Sequence, residues 1–267
     1  MKKLISLILA LVMVFAICAL AGCGGSDDEK TLVMATNAAF PPYEYYEGGK
    51  IVGIDAEIAA EIAKKLDMKL EIKDIEFDSI VAGVSSGKYD MGMAGMTVTE
   101  DRLKSVNFTT SYAKGIQSVI VLENSEYASF EDFYTGFDAE ENPVGVKDGI
   151  KIGVQMGTTG DIYASDDPKN WGFGKDKVAQ YNTGADAVQA LLTGKVTAVI
   201  IDNEPAKAYV AANKGLKILE GSYAEEDYAI CLAKNNTELL NKINKALDEL
   251  IKDGTVKKIV DKYIKAD

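Results

Sequence analysis

The sequence lacks histidine altogether, and only one of its three cysteines, Cys231, lies beyond residue 23. Without histidine, Ser-His-Asp and Cys-His catalysis and any metal site that uses imidazole are excluded. With one cysteine in the folded part, an internal disulfide is excluded as well. Cys231 lies in the apolar stretch 228–233, so we predict a small buried core residue. We expect no metal and no cofactor.

Positive charge is also scarce, because 29 lysines and arginines stand against 41 aspartates and glutamates, for a formal net charge of −12. Loss of Lys2 and Lys3 with a cleaved leader would bring the charge to −14. Such an acidic surface disfavours nucleic acid and anionic lipid as partners. Hydrophobic residues make up 47% of the chain, which is enough for a packed core.

An apolar run without charge covers residues 4–20, directly after Lys2 and Lys3. This pattern is typical of an export signal, which we place at residues 1–22. A retained transmembrane helix is the alternative, since the run is almost long enough to span a bilayer. The small residues at its end and the polar residues 24–29 favour cleavage.

The end of this run, Leu20-Ala21-Gly22-Cys23, resembles the bacterial lipoprotein box. In that class the cysteine is lipidated and becomes the mature N-terminus. The resemblance implies a lipid anchor on Cys23 at the extracytoplasmic face of the cell membrane, since two or more acyl chains hold a protein there stably. Residues 23–30 would then form a flexible tether.

Strand and helix patterns alternate twice along the remaining chain, which predicts an α/β fold with parallel sheets. The predicted strands are 31–36, 69–74, 90–94, 151–154, 177–181, 197–201 and 227–232. The predicted helices are one capped by Asp55, 78–86, one from Asp161, 183–193, 237–253 and 255–263. Residues 134–150 and 164–176 are rich in Gly, Asp and Asn, which predicts surface loops.

Two similar tripeptides, Ser86-Gly87-Lys88 and Thr193-Gly194-Lys195, each precede a central predicted strand. This similarity between the two segments favours two lobes of similar design over a single sheet. Residues 111–122 form a long extended candidate that can cross from lobe to lobe, and the C-terminal part supplies a second crossing. Two crossings make a hinge that can close around a ligand.

Small and hydroxylated residues follow the predicted strand 90–94, and Arg102 comes five positions after Thr97. A small free carboxylate is well held by backbone N–H groups and a hydroxyl at a helix start, with a guanidinium one turn further on. Each of these residues also has an interpretation that involves no ligand. Thr97 and Glu100 fit a capping box, and Arg102 fits an exposed helix face.

Asp202 follows the apolar residues 198–201, so it lies at the end of a predicted buried strand. Its plainer interpretation is the N-cap of a helix that includes Glu204. Thr158 and Thr159 open another helix and can reach a carboxylate in the same way. The glycines beside them do not form a P-loop, because the Gly-Lys-Ser/Thr ending is absent.

Five segments in combination resemble the bacterial solute-binding proteins of family 3, the polar amino-acid receptors of ABC importers. They are Ala35–Tyr43, Gly53–Asp55, Asp90–Arg102, Gly157–Gly160 and Asp202–Pro205. The resemblance implies the α/β two-lobe, type II periplasmic-binding-protein fold, in which two crossing strands form the hinge and one ligand lies in the cleft. It places lobe 1 at residues 31–113 and 225–267, and lobe 2 at residues 114–224.

The resemblance also implies how the ligand's α-carboxylate is held. Arg102 would form a salt bridge with it, Thr97 would donate its hydroxyl to it, and Gly95 would offer backbone groups. Thr158 and Thr159 would reach the same carboxylate from the second lobe.

Asp202 matches the family position that accepts hydrogen bonds from the ligand's α-ammonium. A small polar L-amino acid held by both lobes would stabilise the closed form through its higher affinity for that form. A membrane ABC permease would then recognise the closed protein, which we expect to be a monomer.

Four further positions would contact the ligand side chain. Phe40 and Phe77 match positions where the family stacks aromatic rings, although core packing is the plainer interpretation, and Tyr43 is a weaker match. Asn37 matches a position that is aspartate in several relatives, and Gln155 matches one that varies with specificity. The two amides suggest an uncharged polar ligand, whereas the aromatic pair can stack a guanidinium. Glutamine-like and arginine-like ligands both stay open.

Two other functions compete with transport. Some relatives are cyclohexadienyl dehydratases that act on arogenate or prephenate, and they need an acid to protonate a leaving hydroxyl. Glu44, Asp161 and Glu204 lie near the motifs and could serve, but Arg102 and Asp202 fit amino-acid capture without such an acid. The second competitor is a sensory module of a receptor kinase. The chain shows no signalling domain, so we expect a stand-alone receptor and not an enzyme.

Overall fold

A computed structural model describes residues 30–265 of the chain. The predicted export signal and Cys23 lie outside the described residues. Across the described range, no helix is long and apolar enough to cross a membrane. The same range contains no group of three or more His, Cys, Asp or Glu side chains that could bind a metal ion.

The strands are mostly short. In chain order they are β1 (Thr31–Thr36), β2 (Ala39–Phe40), β3 (Glu44–Glu47), β4 (Lys50–Val52), β5 (Lys69–Asp74), β6 (Met91–Gly92), β7 (Val106–Phe108), β8 (Ala113–Leu122), β9 (Tyr134–Phe137), β10 (Pro143–Val146), β11 (Ile152–Gln155), β12 (Val178–Tyr181), β13 (Ala198–Asp202), β14 (Leu216–Ile218), β15 (Ala224–Tyr228) and β16 (Cys231–Ala233).

The helices connect strands or close the chain. They are α1 (Ile54–Lys65), α2 (Ile80–Ser85), α3 (Glu100–Ser105), α4 (Thr159–Ala164), α5 (Gly184–Leu192), α6 (Asn203–Ala212), α7 (Thr237–Lys252) and α8 (Thr255–Tyr263). Short 3₁₀ turns precede α2 at Phe77–Ser79 and lie at Phe130–Phe133, Pro168–Asn170 and Lys175–Lys177.

The first large sheet has the strand order β5-β1-β6-β16-β7. β1 runs parallel to β5 and to β6, while β16 is antiparallel to β6 and β7. Helix α1 connects β4 to β5 and buries Ile58 and Ile62 in the core, where it packs on α7 and α8. Each fully buried isoleucine contributes about 1.5–3 kcal/mol of hydrophobic free energy.

The second large sheet has the order β12-β11-β13-β8-β14, and β15 also pairs with β8. β11 runs parallel to β12 and β13, and β8 is antiparallel to β13. β8 is long enough for its second half to pair with β14 and its first half with β15. The β8–β15 pair also approaches the first sheet, because Tyr228 at the end of β15 forms a bridge with Thr97.

Most predicted elements are present within a few residues, and the helices predicted at 237–253 and 255–263 match α7 and α8. The predicted strand 90–94 is shorter, because pairing is confined to Met91–Gly92. The predicted strand 227–232 is divided between β15 and β16, which belong to different sheets. Cys231 is fully buried, which confirms the prediction of a core residue, and burial raises the pKa of its thiol to about 12.

Asp55 does not cap a helix, so that prediction is wrong. The N-cap of α1 is Gly53, whose φ of +124° favours glycine and whose Cβ would lie 2.2 Å from the carbonyl oxygen of Tyr43. Asp55 lies inside the helix and is buried. Its Oδ2 accepts hydrogen bonds from the Gly95 N–H at 2.8 Å and from the Tyr112 hydroxyl at 2.9 Å.

The prediction of surface loops at 134–150 and 164–176 is wrong in part. β9 and β10 form a hairpin within the first range. Tyr134 and Phe173 are buried, and their rings stack with centroids 5.2 Å apart. The Gly, Asp and Asn content of both segments concealed aromatic residues whose packing partners are distant in sequence.

Candidate functional site

A small cavity lies where several strands of the two large sheets end. Asn37 follows β1, while Gln155 and Asp202 are the last residues of β11 and β13. In α/β proteins, ligands bind beyond the carboxyl ends of the strands. All ten predicted ligand contacts line this one cavity, together with Ala94 and Glu44. The ten are Asn37, Phe40, Phe77, Gly95, Thr97, Arg102, Gln155, Thr158, Thr159 and Asp202.

Arg102 is buried at 8% exposure, so its plainer interpretation as an exposed helix residue is wrong. Its Nη1 donates to the Thr97 carbonyl at 2.7 Å, and its Nη2 donates to the Gly157 carbonyl at 3.0 Å. The guanidinium lies 5.3 Å from the centre of the Phe77 ring. These two bonds use two of its five N–H groups. Burial lowers the pKa of Arg102, and the carboxylate of Glu226 opposes this shift.

Asp202 lies at the N-cap position of α6 but makes no side-chain capping bond, so helix capping does not explain it. The Tyr228 hydroxyl donates to its Oδ1. Burial raises the pKa of Asp202 to about 7, and the charge of Glu226 adds to this effect. A buried carboxylate with a raised pKa is strongly stabilised by a cation such as an ammonium group.

The three threonines differ in their hydrogen bonds. The Thr97 hydroxyl donates to Glu226 Oε2 at 2.9 Å, and Thr99 caps α3 instead, so the capping box with Glu100 is wrong. Thr158 caps α4, and its hydroxyl donates to the Gln155 carbonyl at 2.8 Å. The hydroxyl of the third, Thr159, accepts a bond from Gln117 Nε2 at 3.4 Å.

The two amides predicted to contact the ligand side chain, Asn37 and Gln155, contact each other. Gln155 Nε2 donates to Asn37 Oδ1 at 2.9 Å and to the Asn182 carbonyl at 3.0 Å. Asn37 Nδ2 donates to the Ile75 carbonyl at 2.9 Å. This contact joins the end of the first sheet's β1 to the end of the second sheet's β11.

Aromatic rings and a glycine form another part of the wall. Phe40 stacks on Tyr43 with ring centroids 5.8 Å apart, and Tyr43 lies behind it, outside the cavity lining. Gly95 has a φ of +51°, and a Cβ there would lie 2.7 Å from the Phe40 ring. Glycine is therefore required for the backbone to approach both this ring and the cavity.

Glu44 lines the cavity, although no sequence pattern predicted a role for it in ligand binding. Its side chain is fully buried and lies against the Asp55 carboxyl group, and no N–H or hydroxyl group of the described residues donates to its two carboxyl oxygens. Burial and the neighbouring Asp55 carboxylate raise the pKa of Glu44 well above its usual range. Burial likewise raises the pKa of Asp55 to about 6.

Glu226 and Gln117 lie behind the cavity wall and were also missed. Glu226 Oε2 accepts from Thr97 and from Gln117 Nε2, the latter at 3.1 Å. The alternating burial of β15 was the available signal, because Glu226 shares a face with Tyr228 while Glu225 is exposed.

Comparison with known proteins places this geometry in a family. The profile of the bacterial extracellular solute-binding proteins, family 3, matches residues 32–266. The arginine-binding extracellular protein ArtP of Bacillus subtilis is 30% identical over 267 residues, covering 98% of both chains.

Two solved structures are similar over most of the chain. An ancestral arginine-binding protein bound to arginine is 39% identical, with a TM-score of 0.77 over 88% of this chain and 99% of that one. An ancestral arginine-binding protein bound to glutamine is 38% identical, with a TM-score of 0.77 over 89% of this chain and 99% of that one. With this fold and the family match over nearly all of its described residues, the chain belongs to the bacterial extracellular solute-binding proteins of family 3.

Proposed function

We propose that this protein is an extracytoplasmic receptor that binds a polar L-amino acid between two lobes and delivers it to an ABC importer. The observation that carries the proposal is the meeting of Arg102 and Asp202 in one cavity. A buried guanidinium and a buried carboxylate match the two charges of an amino acid's carboxylate and ammonium groups. Water exclusion strengthens both interactions in such a site.

The geometry supports a cationic ligand of the arginine type. Of the described residues that line the cavity, the ionisable ones are Arg102, Asp202 and Glu44. After the first two pair with the ligand's zwitterion, Glu44 is left with both oxygens buried and without a donor. A guanidinium would supply donors to Glu44 and could stack on Phe40 and Phe77.

Glutamine is the second candidate, and the contact between Asn37 and Gln155 favours it. These two amides supply neutral donors and acceptors that suit an amide side chain. The burial of Glu44 without a donor supports the arginine type over glutamine, because a guanidinium supplies both donors and a charge that stabilises the ionised carboxylate, whereas an amide supplies no charge.

Two features of the mature protein complete the proposal. The lobes comprise residues 31–113 with 225–267, and residues 114–224, because β8 and β15 pair beside the cavity and lead from one sheet to the other. Cleavage before Cys23 and lipidation of that residue anchor the receptor outside the cell membrane. Mass spectrometry of the mature N-terminus tests the anchor, and solution scattering with and without ligand tests closure of a monomer.

The test of the function is a thermal-shift screen of the purified protein against the free L-amino acids. At a ligand concentration of 100 times Kd, binding should add about 2.7 kcal/mol to the free energy of unfolding. We expect the largest shift with L-arginine, a smaller one with L-glutamine, and no turnover of arogenate or prephenate. If no amino acid stabilises the protein, the proposed function is wrong.

Glu44→Gln should weaken L-arginine binding roughly 100-fold and change L-glutamine binding little, because removing one member of a buried charge pair is costly. Calorimetric Kd values for both ligands measure this selectivity. Glu47→Gln is the matched control, since Glu47 lies on the same strand and is exposed. Equal losses for the two ligands would show that Glu44 does not face a cationic side chain.

A further inference from the structure

A second pocket, which we call the aromatic pocket, lies beside the second large sheet. Its volume is about 360 Å³, which is within the range of small-molecule sites. It shares no lining residue with the cavity that contains Arg102 and Asp202. Four half-buried aromatic side chains form most of its wall, and they are Phe130, Tyr163, Trp171 and Tyr223.

The four rings meet at steep angles. The Phe130 ring is inclined at 85° to the Tyr223 ring and at 65° to the Trp171 ring, with centroids 5.2 Å and 5.8 Å apart. The Tyr163 ring lies 6.5 Å from that of Tyr223 at 61°. Rings at such angles can surround a small ligand on several sides, which is the arrangement of an aromatic cage.

The backbone of Trp171 has a conformation that is costly for such a large residue. Its φ is +64°, in the left-handed region that bulky residues rarely occupy. Its carbonyl accepts from the Tyr223 hydroxyl at 2.5 Å and from the Tyr134 hydroxyl at 2.6 Å. These bonds fix the indole as a wall of the pocket before any ligand binds. Backbone strain of this kind is concentrated at functional sites.

The charge at the aromatic pocket is negative. Of the described residues that line it, Asp166 is charged, and none is a lysine or an arginine. Burial raises the pKa of the Tyr223 hydroxyl, and the Asp166 carboxylate adds to this rise, so its charge acts on that ring. No cation of the described residues lies over any of the four rings. The pocket therefore offers ring faces and a carboxylate to a cation from solution.

The hydrogen bonds of Asp166 indicate which kind of cation suits the pocket. Both of its carboxylate oxygens accept from Asn170 Nδ2 at 3.3 Å, and Oδ1 also accepts from the Asp167 N–H at 2.7 Å. A primary ammonium brings three N–H donors and a guanidinium five, and these would find few free acceptors here. A trimethylammonium group has no N–H donor and binds through its charge and its methyl groups.

We propose that the aromatic pocket is a second binding site, which takes small organic cations with a trimethylammonium group. Aromatic cages are the usual means by which proteins bind such groups. The net charge of −12 favours the approach of a cation over that of an anion. The proposal does not depend on the proposed function, because the two cavities have no lining residue in common.

Tryptophan fluorescence tests the proposal, because Trp171 is the single tryptophan of the chain. Choline chloride, titrated into the purified protein, should change this emission in a saturable way, whereas sodium chloride at equal ionic strength should not. The alcohol 3,3-dimethyl-1-butanol has the shape of choline with carbon in place of the charged nitrogen. It should bind at least roughly tenfold more weakly. Equal affinities, or no saturable response to choline, would overturn the proposal.

Phe130→Leu tests the role of the ring faces. Leucine keeps an apolar wall without a π system, so choline should bind roughly tenfold more weakly and the alcohol within about twofold of the wild type. Phe137→Leu is the matched control, because Phe137 contacts Trp171 with centroids 5.7 Å apart but lies outside the pocket lining. It should keep wild-type affinity for choline. Unchanged choline affinity in a folded Phe130→Leu protein would contradict the proposal.

Asp166→Asn tests the role of the charge. Asparagine keeps an acceptor for the Asp167 N–H, so choline should bind roughly two- to fivefold more weakly while the alcohol is unaffected. The comparison of choline with the alcohol uses the wild type, so it decides the matter even if a variant fails to fold.

Competition separates this site from the proposed amino-acid site. Excess L-arginine should leave the choline affinity within about twofold, since the two ligands would occupy different cavities. Competitive displacement of choline by L-arginine would show a shared site and overturn the proposal. A protein that binds choline but no amino acid would refute the proposed function and support the second site.

Discussion

Arg102→Ala should weaken amino-acid binding by about 3–4 kcal/mol, or roughly 100- to 1,000-fold in Kd. The ligand carboxylate would then lie in a buried cavity that contains no other cationic side chain among the described lining residues. Arg102→Lys should recover only part of the loss, because an ammonium cannot make two parallel bonds to a carboxylate. Calorimetry with L-arginine measures all three proteins.

A control must separate lost binding from lost structure, since Arg102 also donates to the Thr97 and Gly157 carbonyls. Lys104→Ala is the matched control, because Lys104 lies on the same helix with its side chain 75% exposed. It should keep wild-type affinity. Melting curves without ligand report folding of every variant. Wild-type affinity in a folded Arg102→Ala protein would show that the carboxylate is held elsewhere.

Asp202→Asn should weaken binding by a similar factor of roughly 100 or more, because a neutral amide cannot balance a buried ammonium. In the wild type, affinity should also fall as the pH is lowered. The pKa of Asp202 is raised to about 7 by burial, and the ammonium binds the ionised form. Below pH 7, each decrease of one pH unit should therefore raise the Kd roughly tenfold, while the ligand keeps both charges.

Although Asp202→Asn should weaken binding, it should stabilise the folded protein without ligand. An acid whose pKa is raised in the folded state destabilises that state as pH rises from the unfolded pKa of 3.8 toward about 7. Asp202→Asn should therefore make the unliganded protein more stable at pH 8. Asp227→Asn, an exposed change on β15, should alter neither property. A wild-type pH profile that persists in Asp202→Asn would assign the titration to another buried acid, such as Glu44 or Asp55.

Local sequence patterns were sufficient for most of the elements, whereas most of the residues around the cavity were indicated by the family resemblance. Apolar periodicity located α7 and α8, the end of a predicted buried strand located Asp202, and the family resemblance indicated Asn37 and Gln155. Gln155 and Asp202 lie close together because the carboxyl ends of the parallel strands β11 and β13 meet at one edge of the second sheet. Asn37 follows a strand of the first sheet, so its contact with Gln155 depends on how the two sheets pack. The ten predicted residues line one cavity, and their contact with a ligand stays a prediction.

The errors arise where a distant partner decides the role of a side chain. Asp55 looks like a helix cap in sequence, but Gly95 and Tyr112 supply its donors. Thr97 also resembles a helix cap in sequence, but its hydroxyl donates to Glu226, which lies 129 positions later in the chain. The sequence suggested Glu44 only as an acid for the competing dehydratase, whereas its place in the cavity lining and its burial without a donor follow from the fold.

The most direct test of the account is a crystal structure of the mature protein grown with L-arginine. We predict one amino acid in the cavity, with its carboxylate bound by the Arg102 guanidinium and its ammonium bound by Asp202. Its guanidinium should lie against Glu44, between Phe40 and Phe77. An amino acid bound at another place, or bound here without contact to Arg102 and Asp202, would contradict the account.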